Sequence, residues 1–359
     1  MVQKYGSIID YAGKTASQHI MRIIPDTKKV LPGFLFSFLS TKYGHALLTE
    51  GTYGAGTQHI EPNHITNLPV PQFPKTVQQK THDLILKASK LRVDANRLLS
   101  NARKKLKVNA NLKDLTSEDY EYFGNYTSGR KTSCFSRNIK EISSLTINAF
   151  NYSQKVEALE TRVKTKNQYI RLHDALDAEK FFSTGSFPRI ELNTPKAIQL
   201  INQQDVFDQR IQGKLIAKRN VNTSKLIEYG EVLIAGVGTL GENETFCRVI
   251  YANEELEGQL VSGEFIRMKT TEKIPSGYLF TWLSTDYGFR FIRKTQTGTK
   301  LCRPIQKLLY EMPVPVLNKE IMDEIDSDVK TAHTKRYEAL KMENQAFEII
   351  EREIESWQK

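Results

Sequence analysis

Apolar positions along the chain follow two rhythms. From Val77 they recur at Thr81, Leu84, Ala88, Leu91, Ala95, Leu98 and Ala102, at intervals of four and three that draw one narrow seam along a long helix. Elsewhere, short runs rich in β-branched and aromatic residues at 215–217, 231–235, 246–251 and 265–268 predict strands. A helix is expected over 277–293, capped by Ser276, with Leu279, Leu283, Tyr287 and Phe291 on a core-facing side. Residues 170–315 therefore read as mixed α/β. The polar stretch 107–139, with loop signals at 123–129, marks the start of a new globular unit.

The chain also repeats itself. Residues 33–44, GFLFSFLSTKYG, align with 277–288, GYLFTWLSTDYG, at an offset of 244. The same offset carries Gly54 onto Gly298 and Pro69-Val70-Pro71 onto Pro313-Val314-Pro315. With one inserted residue, 16–22 pairs with 261–267 as well. Such self-similarity marks one building block written twice. Added to the first helical seam, the offset gives Ile321, Ile325, Asp328, Ala332, Lys335, Ala339, Met342 and Ala346. Two of these are charged, so the second seam is expected to drift onto Val329 and Ile349 or Ile350.

Charge then relates the two helices. Residues 81–106 carry seven Lys and Arg against two Asp, whereas 319–359 carry seven basic against eleven acidic residues. This complementarity, with alanines small enough for close approach, predicts antiparallel pairing as a coiled coil. A helix of about 30 residues is about 45 Å long, so such a pair would hold what precedes each helix at opposite ends of a rod. The alternative is that each helix packs on its own domain.

At 359 residues with 39% hydrophobic and 26% charged residues, the composition is that of a soluble globular protein of about two domains. No run of 18 apolar residues and no charged-then-apolar leader occurs, so a cytoplasmic protein without membrane contact is expected. Cys134, Cys247 and Cys302 lie far apart without CxxC spacing and read as reduced thiols. The formal charge is +10, and the part outside the two helical segments holds +9 of it. A surface that basic points to a polyanionic partner.

Gly236, Gly238 and Gly241 spell GxGxxG, the spacing of a dinucleotide-binding turn. That chemistry needs a helix opening at the third glycine. The following residues alternate as a strand instead, so the glycines are expected in a hairpin-like loop. A dinucleotide-dependent oxidoreductase remains an alternative, as does a coiled-coil scaffold that binds only protein. Glu231, Glu264 and Lys269 could form a nuclease-like group, yet scattered Glu and Lys on strands are ordinarily solvated. No phosphate-binding GxxxxGK[ST] and no His pair of metal-ligand spacing is present. The sequence thus offers no convincing catalytic set and no metal or cofactor site.

The repeated GYLF…LST.YG, glycine turn, PVP and long helix resemble the specificity subunit of type I restriction-modification enzymes. The EVLIAGVGTLGE stretch and residues 181–189, FFSTGSFPR, carry the same resemblance. It implies an α/β (α+β) fold of target-recognition domains, each followed by a spacer helix. The boundaries would be 1–71 for the rear part of a first domain, 72–110 for its helix, 111–315 for a complete second domain and 316–359 for its helix. The first domain would then lack its front, to be completed by another chain or a homodimer. The resemblance further implies a non-catalytic reader of bipartite double-stranded DNA that docks methyltransferase subunits and a restriction and translocation subunit. S-adenosylmethionine and ATP would belong to those partners.

DNA binding needs cations for phosphates, turns with free N–H groups, and polar side chains for base edges. Three stretches of the second domain supply them. Thr184, Ser186 and Arg189 form a donor-rich turn. Lys214, Lys218, Arg219 and Lys225 bracket Asn220, Asn222 and Thr223. Arg293, Lys294, Gln296, Thr297, Gly298, Thr299, Lys300 and Arg303 combine a helix end, a glycine turn and four cations. Asn220, Asn222 and Gln296 are able in principle to pair with adenine.

Overall fold

The structure, a computed structural model, describes residues 20–54, 59–116, 119, 135–208 and 210–357. The loop signals at 123–129, Cys134 and residues 16–19 of the repeat lie outside this set. Among the described residues the elements begin with α1 (Pro32–Ser40), α2 (Lys42–Glu50), the hairpin β1 (Thr52–Tyr53) and β2 (His59–Ile60), α3 (Pro62–Thr66) and the long α4 (Lys75–Asn109). Next come α5 (Gln154–Lys166), β3 (Tyr169–Arg171), α6 (Leu172–Ala175), β4 (Ala197–Ile201), β5 (Lys214–Ala217), β6 (Val232–Ala235), β7 (Val249–Tyr251), β8 (Leu260–Val261) and β9 (Phe265–Met268). The last part contains α7 (Ser276–Leu283), α8 (Asp286–Lys294), the hairpin β10 (Gln296–Thr297) and β11 (Arg303–Pro304), α9 (Gln306–Tyr310), β12 (Pro313–Pro315) and the long α10 (Lys319–Ser356).

The sequence repeat is a structural repeat down to single hydrogen bonds. At the offset of 244, α2, β1, β2 and α3 match α8, β10, β11 and α9 end for end, and α4 and α10 start at equivalent residues. Both hairpins keep the same register, Thr52↔Ile60 and Gln296↔Pro304. Their turns begin at Gly54 and Gly298, with φ of 105° and 99°, where a side chain would be strained. Ser37 and Thr281 both donate to the carbonyl four residues back, at 2.8 Å. Thr41 and Thr285 each accept from an N–H three residues on, that of Gly44 or Gly288.

The expected helix over 277–293 is therefore two helices. Thr285 adopts an extended conformation and caps α8, so the chain turns where the apolar spacing alone ran straight on. Ser276 does not cap α7 either, for it is the first helical residue and makes no capping bond. The acceptor comes from the long helix, where Asp326 Oδ1 takes the Gly277 N–H at 2.8 Å. In the first copy His82 Nδ1 takes the Gly33 N–H at 3.0 Å, again at the offset of 244. Each glycine is needed for this approach, since a Cβ would come within 2.8 Å of the acceptor residue in both copies.

Two compact units divide the chain, one holding residues up to Arg97 with 208–210 and 332 onward, the other 98–207 and 211–331. Each long helix contributes to both. In the first unit, Phe34, Phe38, Phe73 and Ile350 form a core, with Phe34 and Phe73 edge to face at 5.4 Å. Ile85 packs on Ala346 and Phe347. Arg92 makes a two-pronged ion pair with Glu343 at 2.7 Å, and Arg336 donates to Asn96. Residue numbers rise along α4 as they fall along α10, so these contacts run antiparallel. In the second unit Lys105 of α4 pairs with Glu324 and Asp328 of α10. Ala88, Ala95, Ala102, Ala332, Ala339 and Ala346 are fully buried, as are Val329 and Ile350, onto which the second seam drifts.

The second unit adds two three-stranded sheets, β5-β4-β8 and β7-β6-β9. Ile201, Leu233, Val261 and Phe265 join them in one core. Strand β6 pairs antiparallel with both neighbours, Leu233 facing Ile250 and Arg267. The strand expected from 246 begins only at Val249, because Cys247 takes a left-handed conformation with φ of 67°. Here β12 pairs with β3 and is buried, and Tyr278 and Trp282 donate to the carbonyls of Pro315 and Pro313. The first copy has Phe34 and Phe38 at those positions, and its Pro69-Val70-Pro71 forms no strand.

Candidate nucleic-acid interface

Arg267 on β9 organises the first two candidate stretches. Its side chain is 1% exposed and grips Glu231 with two hydrogen bonds of 2.8 Å. A buried guanidinium is tolerated only when its donors are satisfied, and the remaining donors reach Thr184 Oγ1 and the carbonyls of Lys225 and Leu226. Phe182 lies under the same guanidinium at 4.8 Å, with Lys225 and Lys269 also over its ring. One internal arginine thus fixes both the 183–186 turn and the 218–226 segment. Outside this strut, Ser186, Arg189, Lys218, Arg219 and Asn222 are exposed. Asn222 has its carbonyl oxygen occupied by Ser224, whereas Lys214 is held by Glu191 at 2.8 Å. Asn220 is half-buried, with its amide nitrogen turned inward.

The third stretch divides into a buried and an exposed part. Thr297, Gly298, Thr299, Lys300 and Arg303 form the exposed hairpin turn. Arg293 is fully buried and Gln296 is 2% exposed, so neither can meet DNA directly in this conformation. Lys294 is 13% exposed and paired with Glu160 at 3.1 Å. Arg293 and Arg290 converge on Glu242, at 3.1 and 3.2 Å. The sequence showed a cationic helix end but not its partner, which lies 51 residues away on the glycine loop.

That loop carries the GxGxxG spacing. No helix opens after Gly241; the chain passes through turns into β7, so the helix N-terminus that a dinucleotide pyrophosphate requires is not formed there. Gly238 instead exchanges two backbone hydrogen bonds with Cys302, of 3.1 and 2.7 Å, fastening the loop to the hairpin turn. Gly236 N–H reaches the Glu264 carbonyl, and the neighbouring Gly263 lies against the Gly185 backbone. The glycine loop therefore joins the hairpin turn and the 263–264 turn that lies against Gly185, and Arg267 carries the link on to the 218–226 segment.

The chain is similar to specificity subunits of type I restriction-modification systems. The type I restriction-modification S subunit from M. genitalium matches at 15% identity and a TM-score of 0.35, covering 90% of this chain and 71% of that one. The HsdS subunit from Thermoanaerobacter tengcongensis matches at 13% and 0.32, covering 89% and 69%. A structure described as the basis of complex assembly and conformational transition of the type I restriction-modification system matches at 13% and 0.31, covering 91% and 72%. No protein-family profile and no curated protein matches the chain. At these scores the likeness is distant, and the functional reading rests on the chain's own residues.

Other chemistry finds little support in the geometry. Glu231 is committed to Arg267 and Lys269 to Glu228, so the nuclease-like grouping of Glu231, Glu264 and Lys269 is not assembled. Among the described residues no group of three His, Cys, Asp or Glu comes together as a metal site, and no described helix is long and apolar enough to cross a membrane. Sequence reasoning missed Arg248, whose guanidinium lies over Phe289 at 4.2 Å, with Arg293 over the same ring at 4.7 Å. Burial, and then the Arg293 charge, hold Arg248 below its usual range.

Proposed function

We propose that this chain is a non-catalytic DNA-recognition subunit of the type I restriction-modification kind. Its two heads read two parts of a split double-stranded target, and its long helices form the coiled-coil spacer on which methyltransferase subunits dock. A restriction and translocation subunit joins that assembly, and S-adenosylmethionine and ATP belong to those partners. The observation that carries the reading is the duplication: the same helices, hairpin and cap bonds occur twice, each time leading into a long helix. One recognition scaffold present twice in a chain suits a target read in two pieces. The exposed Arg189, Lys218, Arg219, Lys300 and Arg303 supply the cations that phosphate contacts need.

The test is to co-express the chain with its accompanying methyltransferase and restriction genes and to map methylated bases across the genome. A two-part motif that appears only when this chain is present is the expected result. Absence of any such motif, together with failure of the chain and methyltransferase to shift duplexes from a random library, would overturn the reading. Tight binding of NAD or FAD in a fluorescence titration would favour the oxidoreductase instead.

A further inference from the structure

We propose that Glu242 fills a phosphate seat in the free protein, and that a backbone phosphate of DNA displaces it. This rests on the second head being a DNA-contacting surface. Arg290 and Arg293 are 1% and 0% exposed, yet Arg290 puts both terminal nitrogens on the Glu242 carboxylate, which is 53% exposed, and Arg293 gives it one while the other reaches the Gly241 carbonyl. Arg248 joins them by donating to the Glu242 carbonyl, and its guanidinium shares the Phe289 ring with Arg293. Arg293 Nε is buried without an acceptor. Three guanidinium groups thus converge on one residue that reaches them from the solvent side.

Buried guanidinium groups need a counter-anion. A backbone phosphodiester, like a carboxylate, carries one negative charge on two free oxygens, and arginine forks match either geometry, so it can take the place of the Glu242 carboxylate. Gly241 to Glu244 are exposed, while Gly238 on one side is held to Cys302 and Phe246 on the other is buried. Displacing the tip breaks the bonds of Arg293 to the Gly241 carbonyl and of Arg248 to the Glu242 and Glu244 carbonyls, and the freed guanidinium donors then turn to the phosphate. A phosphate seated there lies next to the turn that presents Lys300 and Arg303, because the Gly238–Cys302 bridge joins the two segments.

The experiment uses the full chain and a fluorescent mixed-sequence duplex of about 30 base pairs across a salt series, since phosphate contact is independent of sequence. Glu242→Gln is expected to bind roughly tenfold tighter than the unaltered chain, because the seat no longer has to be vacated. Glu244→Gln, which removes an exposed charge from the same loop and leaves the Arg248 bond to its backbone carbonyl in place, is expected to change affinity less than about twofold. Equal effects of the two variants would reduce the gain to general charge removal and overturn the proposal, as would unchanged or weaker binding by Glu242→Gln. A second arm uses inorganic phosphate. It should raise the melting temperature of Glu242→Gln and leave the unaltered chain unmoved. If no variant binds duplex but phosphate stabilises Glu242→Gln, the seat stands for free phosphate and the DNA reading fails. If phosphate stabilises neither and duplex binding is unaffected, the seat does not exist. Should Glu242→Gln not fold, Glu242→Asp keeps the charge but shortens its reach, and an intermediate gain in affinity is expected.

Discussion

Replacing Asp326 with Ala removes the acceptor for the Gly277 N–H in the first turn of α7. Gly277 and Asp326 are both buried, at 2.8 Å, so the orphaned donor gains no water in compensation. A hydrogen bond to a charged group contributes about 1.5–3 kcal/mol. The ion pair of Asp326 with Lys330, whose side chain is 46% exposed, adds only a few tenths of a kcal/mol. Ala favours a helix over Asp by about 0.5 kcal/mol, which offsets part of the loss. The net expectation is a destabilisation of about 2 kcal/mol. Asp326→Asn keeps the acceptor oxygen and should cost less than about 1 kcal/mol. His82→Ala, the equivalent loss in the first copy, breaks a bond between neutral groups and should cost about 1 kcal/mol. The assay is native-state hydrogen exchange at the amides of α1 and α7, which reads each unit separately. Asp326→Ala should speed exchange of the Gly277 amide by about thirtyfold. An effect of Asp326→Ala under about 0.5 kcal/mol, or Asn as damaging as Ala, would refute the reasoning.

Three further outcomes are expected. Arg267→Lys loses the fork on Glu231 and the bonds to Lys225 and Leu226, leaves Glu231 buried, and should lower stability by about 3–5 kcal/mol in chemical denaturation. His333 is buried beside Arg336, and burial first holds its imidazole down to about 3 against an ordinary 6.5. Its neutral form is favoured in the folded chain, so stability is complete above pH 6.5 and falls towards pH 3 by up to about 1.4 kcal/mol per pH unit. His333→Leu should flatten the stability curve across that window, as followed by melting temperature. The double variant Lys300→Ala, Arg303→Ala should reduce the slope of log K against log salt by about 1.8, with about 0.9 for each phosphate that is no longer neutralised.

Regular local pattern was legible in the sequence; long-range polar partnership was not. The long helices follow from the spacing of Val77 to Ala102, and the repeat from identical residues in GFLF and GYLF, because both signals sit within a few turns of chain. The strands at 214–217, 232–235 and 265–268 follow from short β-branched runs for the same reason. The break before Asp286 was hidden because Leu279, Leu283, Tyr287 and Phe291 are all buried in either arrangement. Only the Thr285 cap decides between them. Arg293 read as a surface cation because its partner, Glu242, is set by the packing of a distant loop. Arg267 and Glu231 are 36 residues apart and face one another only once β6 and β9 pair.

The repeat also separates what the scaffold fixes from what it leaves open. The Gly33–His82 and Gly277–Asp326 bonds, with the Thr41 and Thr285 caps, set each helical pair against its own long helix. The hairpin tips built on that frame share a glycine, Gly54 or Gly298, but differ in the residues beside it. Tyr53 and His59 place two rings 5.8 Å apart in the first copy, where Thr297 and Arg303 stand in the second. The two pairs occupy the same register, so exchanging these tip residues between copies should leave the cap bonds intact while moving the cationic turn from one unit to the other. Such an exchange alters what each head presents without touching the bonds that set its helices, because the Gly33–His82, Gly277–Asp326, Thr41 and Thr285 contacts all lie outside the hairpin.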